Sequence, residues 1–557
     1  MADPASELAA SIAESIAAAA RLDIDDVRTT PQALRRAAGL WPAAEALADV
    51  QAGIRPGDGG ESHGVRWTWA ELAEQVRDFA AALVAGGVEP GDRVLVWSPN
   101  SWHWVVAALG IQYAGGVLVP ANTRYTGAEA LELIDRTAAP FAVIAGEFLG
   151  VERIGQLADA SGGELSGTPL RTVIRVPLGG TEKAESGVIR EWDEFSASAT
   201  DEARAEAERR ADAVGADDIA DILFTSGTTG KSKGVVALHK QSVAGARAWG
   251  RNGGLSEKDR YLVLNPFFHT FGYKAGFLVC ALFGARIVPL AVYKPEDAMA
   301  LVESEKVSVL PGAPTIFSTL LDSPARPDYD LSSLRLAVTG ASIVPVVLVE
   351  RMQSDLGLET VVTAYGLTEC SGFVSTCRPD DSDETVAHTC GRAFEGMEIR
   401  IGEAGEVLAR GEMVMAGYLD NPEATAETID ADGWLHTGDV GELDGAGNLT
   451  ITDRLKDMYI SGGFNVYPAE IEQILARLPG VVDSAVIGVP DERLGEVGKA
   501  FVQRAETEEG RALTAEAVAE YLGSRIANFK RPREIEFVEA FPRNAMGKIV
   551  KPELRKA

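Results

Sequence analysis

Residues 221–234 read Asp-Ile-Leu-Phe-Thr-Ser-Gly-Thr-Thr-Gly-Lys-Ser-Lys-Gly, an apolar strand candidate running straight into a loop of hydroxyls, glycines and lysines. Gly227, Gly230 and Gly234 let backbone N–H groups come close to a polyanion. The hydroxyls of Thr225, Ser226, Thr228 and Thr229 donate hydrogen bonds, and Lys231 and Lys233 supply point charge. Such a loop suits the phosphates of a nucleotide. It is not a Walker A loop, because reading back from Gly230-Lys231-Ser232 puts the first glycine of GxxxxGK[ST] at Thr225. A flexible turn accounts for Gly-Thr-Thr-Gly alone, but not for the whole string from Thr225 to Gly234.

Outward from this stretch the chain alternates helical and strand-like segments. Upstream, residues 68–85 have helical apolar spacing. Residues 93–97 (Arg-Val-Leu-Val-Trp) form a short apolar strand after the turn Pro90-Gly91-Asp92, followed by a helix at 102–113 and a strand at 116–120. Downstream, 261–264, 286–289, 307–310, 334–339 and 361–364 are buried-strand candidates separated by helix-length segments. This βαβ rhythm predicts an α/β fold with parallel sheets covered by helices. The acidic, Ala/Glu-rich stretch 200–218 reads as a solvated helix or linker. From 396 to 452 the spacing shortens to strands and turns, predicting an antiparallel or barrel-like region. A last α/β unit follows, with helices at 468–478 and 514–525 and strands at 481–489, 499–504 and 534–538, behind a boundary near 453–457.

The 557 residues carry 52 Lys and Arg against 82 Asp and Glu, a net charge of −30, which disfavours nucleic acid or an anionic membrane surface as partner. The charge is uneven: from residue 457 onward there are 14 basic and 16 acidic residues, and 525–557 alone holds nine basic and four acidic. The alanine-rich N-terminus has Asp3, Glu7 and Glu14 before any basic residue, unlike a signal peptide, and Leu8, Ile12 and Ile16 mark an amphipathic packing helix. Residues 104–123 lack formal charge, but Gln112, Gly115-Gly116, Pro120 and Asn122 break them as a membrane span. Cys280, Cys370, Cys377 and Cys390 form no CxxC pair, so buried free thiols and a cytoplasmic location are expected. Although His388 and Cys390 sit two apart, the histidines show no HxxH or HExxH spacing, and no structural metal site is expected.

The string from Thr225 to Gly234 resembles the phosphate loop of the adenylate-forming superfamily, which includes acyl-CoA synthetases, aryl-CoA ligases, luciferase and peptide-synthetase adenylation domains. Ser232 departs from the proline usual there. Further strings match in the family's order. Tyr365-Gly366-Leu367-Thr368-Glu369 resembles the Tyr-Gly-x-Thr-Glu motif, His436-Thr437-Gly438-Asp439 the Thr-Gly-Asp motif, and Asp453-Arg454-Leu455-Lys456-Asp457 the hinge. Ser461-Gly462-Gly463 followed by a helix start resembles the pantetheine loop, and the stretch from Pro542 to Lys548 the terminal motif. Taken singly, Thr-Gly-Asp is an ordinary turn and Lys548 a solvated surface lysine; the ordered set carries the resemblance, from about residue 30 to 551.

The resemblance implies a large N-terminal domain (29–455) of two flavodoxin-like parallel-sheet subdomains plus a β-barrel-like subdomain. After it would come a small mobile α+β C-terminal domain (456–557), and residues 1–28 would be a helical extension. It also implies ATP and CoA as co-substrates with Mg²⁺. Tyr365 would lie against adenine, and Gly340, Ala341, Ala364 and Gly366 would also belong to the cofactor-binding site. Thr368 would reach the α-phosphate and Glu369 would bind Mg²⁺; Asp439 and Arg454 would hold the ribose. Lys456 would be the pivot, Gly462 and Gly463 would meet the pantetheine arm, and Lys548 would be the catalytic lysine. The acid pocket would draw on 265–272, 312–316, 340–342 and 366–372, with His269 either gating the acyl site or buried structurally. The three phenylalanines Phe267, Phe268 and Phe271 favour an apolar acid. Within the family, residues 265–276 (NPFFHTFGYKAG) resemble ligases acting on a bicyclic propanoate from steroid-ring breakdown. A fatty or aryl acid, and loading of a carrier protein in place of CoA, stay open as alternatives. So does the oligomeric state, a dimer included.

Overall fold

A computed structural model describes residues 4–50, 64–178, 187–225, 232–340, 344, 346–454, 457–461, 464–491, 494–523, 525–526, 528–543 and 548–555. The chain divides into two compact units, the first comprising Met1–Ala387, Ala393–Glu398 and Arg410–Gly433, the second His388–Arg392, Ile399–Ala409 and Trp434–Ala557.

Two large sheets build the first unit. The eight-stranded sheet runs Gly417–Tyr418, Lys233–Leu238, Ile219–Thr225, Val117–Pro120, Arg93–Trp97, Phe141–Ala145, Thr172–Val176, Ile189–Glu191. Its central strands are parallel and buried on both faces, which is why Arg93–Trp97 and Phe141–Ala145 read as continuous apolar runs. Leu95, Trp97, Ile144, Val173 and Ile222 form one core with Ile134 and Leu157 from the helices Gly127–Thr137 and Arg153–Ala160. The nine-stranded sheet has Thr360–Tyr365, Leu336–Gly340, Val309–Pro311, Arg260–Val263, Arg286–Pro289 and Glu45–Asp49 as successive parallel strands. Both sheets are mixed, because Lys233–Leu238, Val65–Thr68 and Ser375–Thr376 pair antiparallel with their neighbours. A hairpin return of this kind leaves no βαβ signature to read.

The helix Trp69–Ala85 is fixed at its start by a reciprocal capping box between Thr68 and Glu71. The helix Trp102–Tyr113 occupies the expected residues, and all of it from His103 onward is buried. At the N-terminus, the helix Pro4–Ala20 packs on the helix Thr30–Leu40, and a Cβ on Gly39 would come within 2.7 Å of the Ala20 Cβ. The stretch 200–218 is not a linker, and its helix is not wholly solvated. Asp201–Ala213 buries Ala203, Ala207 and Ala211 against the helix Trp69–Ala85. Glu208, also buried, receives Arg35 Nη2 at 2.7 Å and the Tyr113 hydroxyl at 2.8 Å. Small alanines every fourth residue made a packing stripe that the surrounding charges concealed.

In the second unit, Glu406–Gly411, Leu435–Leu443 and Leu449–Arg454 are successive antiparallel strands of a four-stranded sheet. A second sheet centres on the long hairpin Val481–Asp491 and Gly495–Arg504, flanked by the parallel strand Glu534–Val538. Helices Pro468–Leu475 and Ala515–Gly523 cover it, burying Ile471, Leu475, Val518 and Leu522 against Val486 and Val502. Cys280, Cys370 and Cys377 are buried thiols outside any disulfide, and Cys390 is partly exposed. Among the described residues no helix is long and apolar enough to cross a membrane.

Candidate active site

In the first unit the residues flanking the loop read from the sequence belong to two antiparallel, paired strands. Thr225 ends the strand Ile219–Thr225 and pairs with Lys233 at the start of Lys233–Leu238, so the loop leaves and re-enters the sheet at adjacent positions. Thr225 Oγ1 donates to the Lys233 carbonyl at 3.4 Å. Ser226, Gly227, Thr228, Thr229, Gly230 and Lys231 lie outside the described residues. Ser232 is held by Arg136, whose Nη1 donates to its carbonyl at 2.8 Å and to its Oγ at 3.1 Å. The same guanidinium lies 4.8 Å from the Phe224 ring centroid.

Two parallel strands deliver the next residues at their carboxyl ends, where open α/β sheets place their ligands. Gly340 ends Leu336–Gly340 in register with Ala364, and a Cβ there would lie 2.3 Å from the Ala364 carbonyl oxygen, so only glycine permits the approach. Ala341 lies outside the described residues. Tyr365 ends Thr360–Tyr365 opposite Ser375. After it the chain folds back so tightly that a Cβ on Gly366 would sit 1.9 Å from the Gly372 carbonyl oxygen. This fold-back holds one turn of 3₁₀-helix, Thr368–Cys370, which presents Thr368 and Glu369.

Glu369 is fixed from two directions. Its carbonyl accepts the Met415 N–H at 2.7 Å, and its Oε1 accepts the Tyr418 hydroxyl at 2.9 Å. Burial, then the Glu369 carboxylate, pushes the Tyr418 phenol well up, so it stays a donor. On the face of the same ring lies Lys233 Nζ, 4.6 Å from the centroid. Tyr418 therefore joins a loop lysine to the carboxylate, and the sequence reading missed it. The signal was slight: a Gly-Tyr pair in a short edge strand, Gly417–Tyr418, that pairs with Lys233–Leu238. Mg²⁺ takes one or two carboxylates and fills its shell with phosphate and water, and Glu369, a hard donor with one oxygen held by Tyr418, fits that chemistry. Among the described residues no cluster of three or more His, Cys, Asp or Glu stands ready for a metal, the His388 and Cys390 pair included.

His269 precedes the short helix Thr270–Gly272, half-buried, and accepts the Phe271 N–H at Nδ1 at 3.2 Å. The loop leading to it is clamped by Asn100, a second residue the sequence reading passed over. Asn100 Nδ2 donates to the carbonyls of Val263 (3.1 Å) and Asn265 (2.9 Å), and its Oδ1 accepts the Phe267 N–H at 2.8 Å. Phe267 is fully buried in a core cluster, 5.4 Å from Trp104 and 5.1 Å from Phe277 between centroids, and only Phe268 and Phe271 are half-buried. Gly312 follows Val309–Pro311 and donates its N–H to the Val338 carbonyl at 2.9 Å.

In the second unit Asp439 is buried on the strand Leu435–Leu443, opposite Arg454 on Leu449–Arg454. Its turn is set by Glu406, whose carboxylate takes the Gly438 N–H at 3.0 Å and His436 Nδ1 at 2.7 Å. Thr437 Oγ1 donates to the Val407 carbonyl and accepts the Asp439 N–H. Lys456, Gly462 and Gly463 lie outside the described residues. Lys548 is exposed, and the chain beside it is pinned: Ile549 bridges Arg543, the Val550 N–H reaches the Pro542 carbonyl at 2.8 Å, and Lys551 Nζ pairs with Glu472 at 2.8 Å.

Residues 34–419 match the AMP-binding enzyme family and residues 470–548 the AMP-binding enzyme C-terminal domain. A 3-[(3aS,4S,7aS)-7a-methyl-1,5-dioxo-octahydro-1H-inden-4-yl]propanoyl:CoA ligase of Rhodococcus jostii (strain RHA1) is 57% identical over 95% of this chain and 98% of that protein. The ligase of the same name from Mycobacterium tuberculosis (strain ATCC 25618 / H37Rv) is 54% identical over 96% of this chain and 99% of its own. Among solved structures, the anthranilate CoA ligase AuaEII in complex with anthranoyl-AMP is similar with a TM-score of 0.80 at 25% identity, covering 96% of this chain and 98% of its own. ATP-bound MatB from Rhodopseudomonas palustris gives 0.77 at 28% identity, over 95% and 98%.

Proposed function

The chain belongs to the AMP-binding enzyme family, and from that premise we propose that its acid is the bicyclic diketo propanoate for which its relatives at 57% and 54% identity are named. It is an ATP-dependent acid–CoA ligase working through an acyl-adenylate. A substrate carboxylate attacks the α-phosphorus of ATP and expels pyrophosphate; the CoA thiol then attacks the acyl carbonyl and AMP leaves. The observation that carries the choice of acid is identity above 50% across nearly the whole length of two ligases named for it.

The residues divide the work. We assign the phosphates to the loop from Thr225 through Lys233, and the adenosine to Gly340, Ala341, Ala364, Tyr365, Gly366, Asp439 and Arg454. Thr368 would donate to the α-phosphate. Glu369 would hold Mg²⁺, which neutralises phosphate charge when bound. Lys548 would place a fixed positive charge where negative charge grows on the α-phosphate, with no proton moved. Gly462 and Gly463 would let the pantetheine arm pass, and Lys456 would be the pivot of the 456–557 domain. His269 and the half-buried Phe268 and Phe271 would face the acid. The same reading puts the enzyme in the cytoplasm, where ATP and CoA are supplied.

The test is AMP release with MgATP and CoA over a panel of carboxylic acids. The bicyclic keto acid should give the highest kcat/KM, without any carrier protein. Turnover of medium-chain fatty or cinnamic acids with none of the keto acid would sink the substrate assignment while leaving the ligase class intact.

A further inference from the structure

Lys274 is 1% exposed and lies one helical turn after Thr270, in the segment that opens with His269. Its ammonium is 3.1 Å from Asp221 Oδ1 and 3.5 Å from Ser371 Oγ, both buried. Asp221 Oδ2 accepts the Ser242 hydroxyl at 3.0 Å. Beside the pair, Gln112 Nε2 donates to the Tyr273 hydroxyl at 2.6 Å and to the carbonyl of Ala220, the residue before Asp221, at 3.0 Å. Burial pushes the Asp221 carboxyl up and the Lys274 ammonium down, and each partner opposes that shift in the other. A buried ion pair is a poor source of stability, since desolvation consumes most of its attraction; where one is kept, its geometry is the more informative property.

That geometry joins three segments of the site. Asp221 stands four residues before Thr225, on the strand that feeds the phosphate loop. Lys274 belongs to the π-helical stretch Tyr273–Leu278 that continues the acyl-site segment. Ser371 follows the turn Thr368–Cys370 directly and has a left-handed backbone at φ +55°. Next to it, Gly372 has φ +94°, and a Cβ there would come within 2.8 Å of Thr270 Cβ and Oγ1. Thr270 and Lys274, four residues apart, thus support the turn carrying Thr368 and Glu369 from one side.

We propose that Lys274 is a positioning residue for adenylate formation: anchored by Asp221, it holds the Thr368–Cys370 turn through Ser371, and so ties the acyl-site segment to the groups that handle the α-phosphate and Mg²⁺. The proposal rests on the ligase reading and on the roles given to Thr368 and Glu369. It makes a step-specific demand. The turn serves attack on phosphorus, whereas attack of the CoA thiol on a finished acyl-adenylate does not use it.

Two variants test this. Ser371→Gly removes the hydroxyl and suits the left-handed backbone, so the fold survives. The double variant Asp221→Asn, Lys274→Met neutralises the pair together and avoids stranding one buried charge. In both, acid-dependent ATP–pyrophosphate exchange should fall at least about tenfold, the order of one lost hydrogen bond to a charged group, and half-saturating Mg²⁺ should rise. Thioester formation from supplied acyl-adenylate and CoA should stay within about twofold of the parent. Unaltered exchange in Ser371→Gly, or equal losses in both half-reactions, would overturn the proposal. A parent chain with no acid-dependent exchange for any acid in the panel would instead strike at the ligase reading itself.

Discussion

Lys548 carries the heaviest chemical demand in this reading. It is exposed, and the chain on its C-terminal side is tethered by Ile549, Val550 and Lys551. Lys548→Ala should lower the rate of adenylate formation about 10²–10³-fold, as loss of a transition-state charge partner does, and should leave thioesterification of a supplied acyl-adenylate far less affected. Equal losses in the two half-reactions would remove Lys548 from its assigned role. Tyr418 makes a smaller prediction. Tyr418→Phe deletes one hydrogen bond to the Glu369 carboxylate, and at about 1.5 kcal/mol this should raise half-saturating Mg²⁺ up to about tenfold with little change in melting. A magnesium dependence identical to the parent's would show that the bond does not tune Glu369. Lys548, Thr368, Glu369 and Asp439 were nameable as candidates from sequence because each sits in a short ordered string. Tyr418, Glu406 and Asn100 were not, because each meets its partner from 32 to 167 residues away and no local pattern marks the meeting.

Elements were legible where one physical rule governs them. Parallel strands buried on both faces leave continuous apolar runs, and Arg93–Trp97 and Arg286–Pro289 fall where those runs predict. Neighbouring strands shifted by a residue or two: Val309–Pro311 stands in place of 307–310, since strand ends answer to pairing partners rather than to hydrophobicity. The helix Pro468–Leu475 shows tertiary structure completing an element. Its N-cap, Tyr467, makes no side-chain cap, and Asp453, from the neighbouring strand, accepts the Ala469 N–H at 3.1 Å instead. Asp453→Ala should cost about 1 kcal/mol of local stability, speeding amide exchange across Ala469–Leu475 about fivefold. Exchange rates unchanged there would show that the cap contributes nothing.

At the scale of the whole molecule, His239 links stability to pH. It is buried at the start of the helix His239–Asn252, and its Nδ1 receives the Thr30 hydroxyl at 3.1 Å and the Thr30 N–H at 3.4 Å, a site for the neutral ring. Burial lowers its pKa from 6.5 to about 4, and Lys274 adds to this while Asp218 opposes it. The unfolded chain therefore takes up a proton below pH 6.5 that the folded chain refuses until about pH 4. Stability is full above pH 6.5 and drains away as pH falls toward 4, by about 3 kcal/mol at most. Denaturant titrations of His239→Gln should show a correspondingly shallower acid limb, and parallel limbs for parent and variant would exclude the histidine as its source. What the sequence by itself determined was the fold class, the catalytic family and the order of the motifs. Local strings record what the backbone must do near phosphate, and strand periodicity records what must be buried. Only the tertiary structure decided which residues support those strings. It turned the charged stretch around Glu208 into a packed helix, put Phe267 in the core, and brought Asp221, Lys274 and Ser371 together. Contacts between residues far apart in the chain form only when sheets and helices close on one another, and one-dimensional spacing keeps no record of that closure.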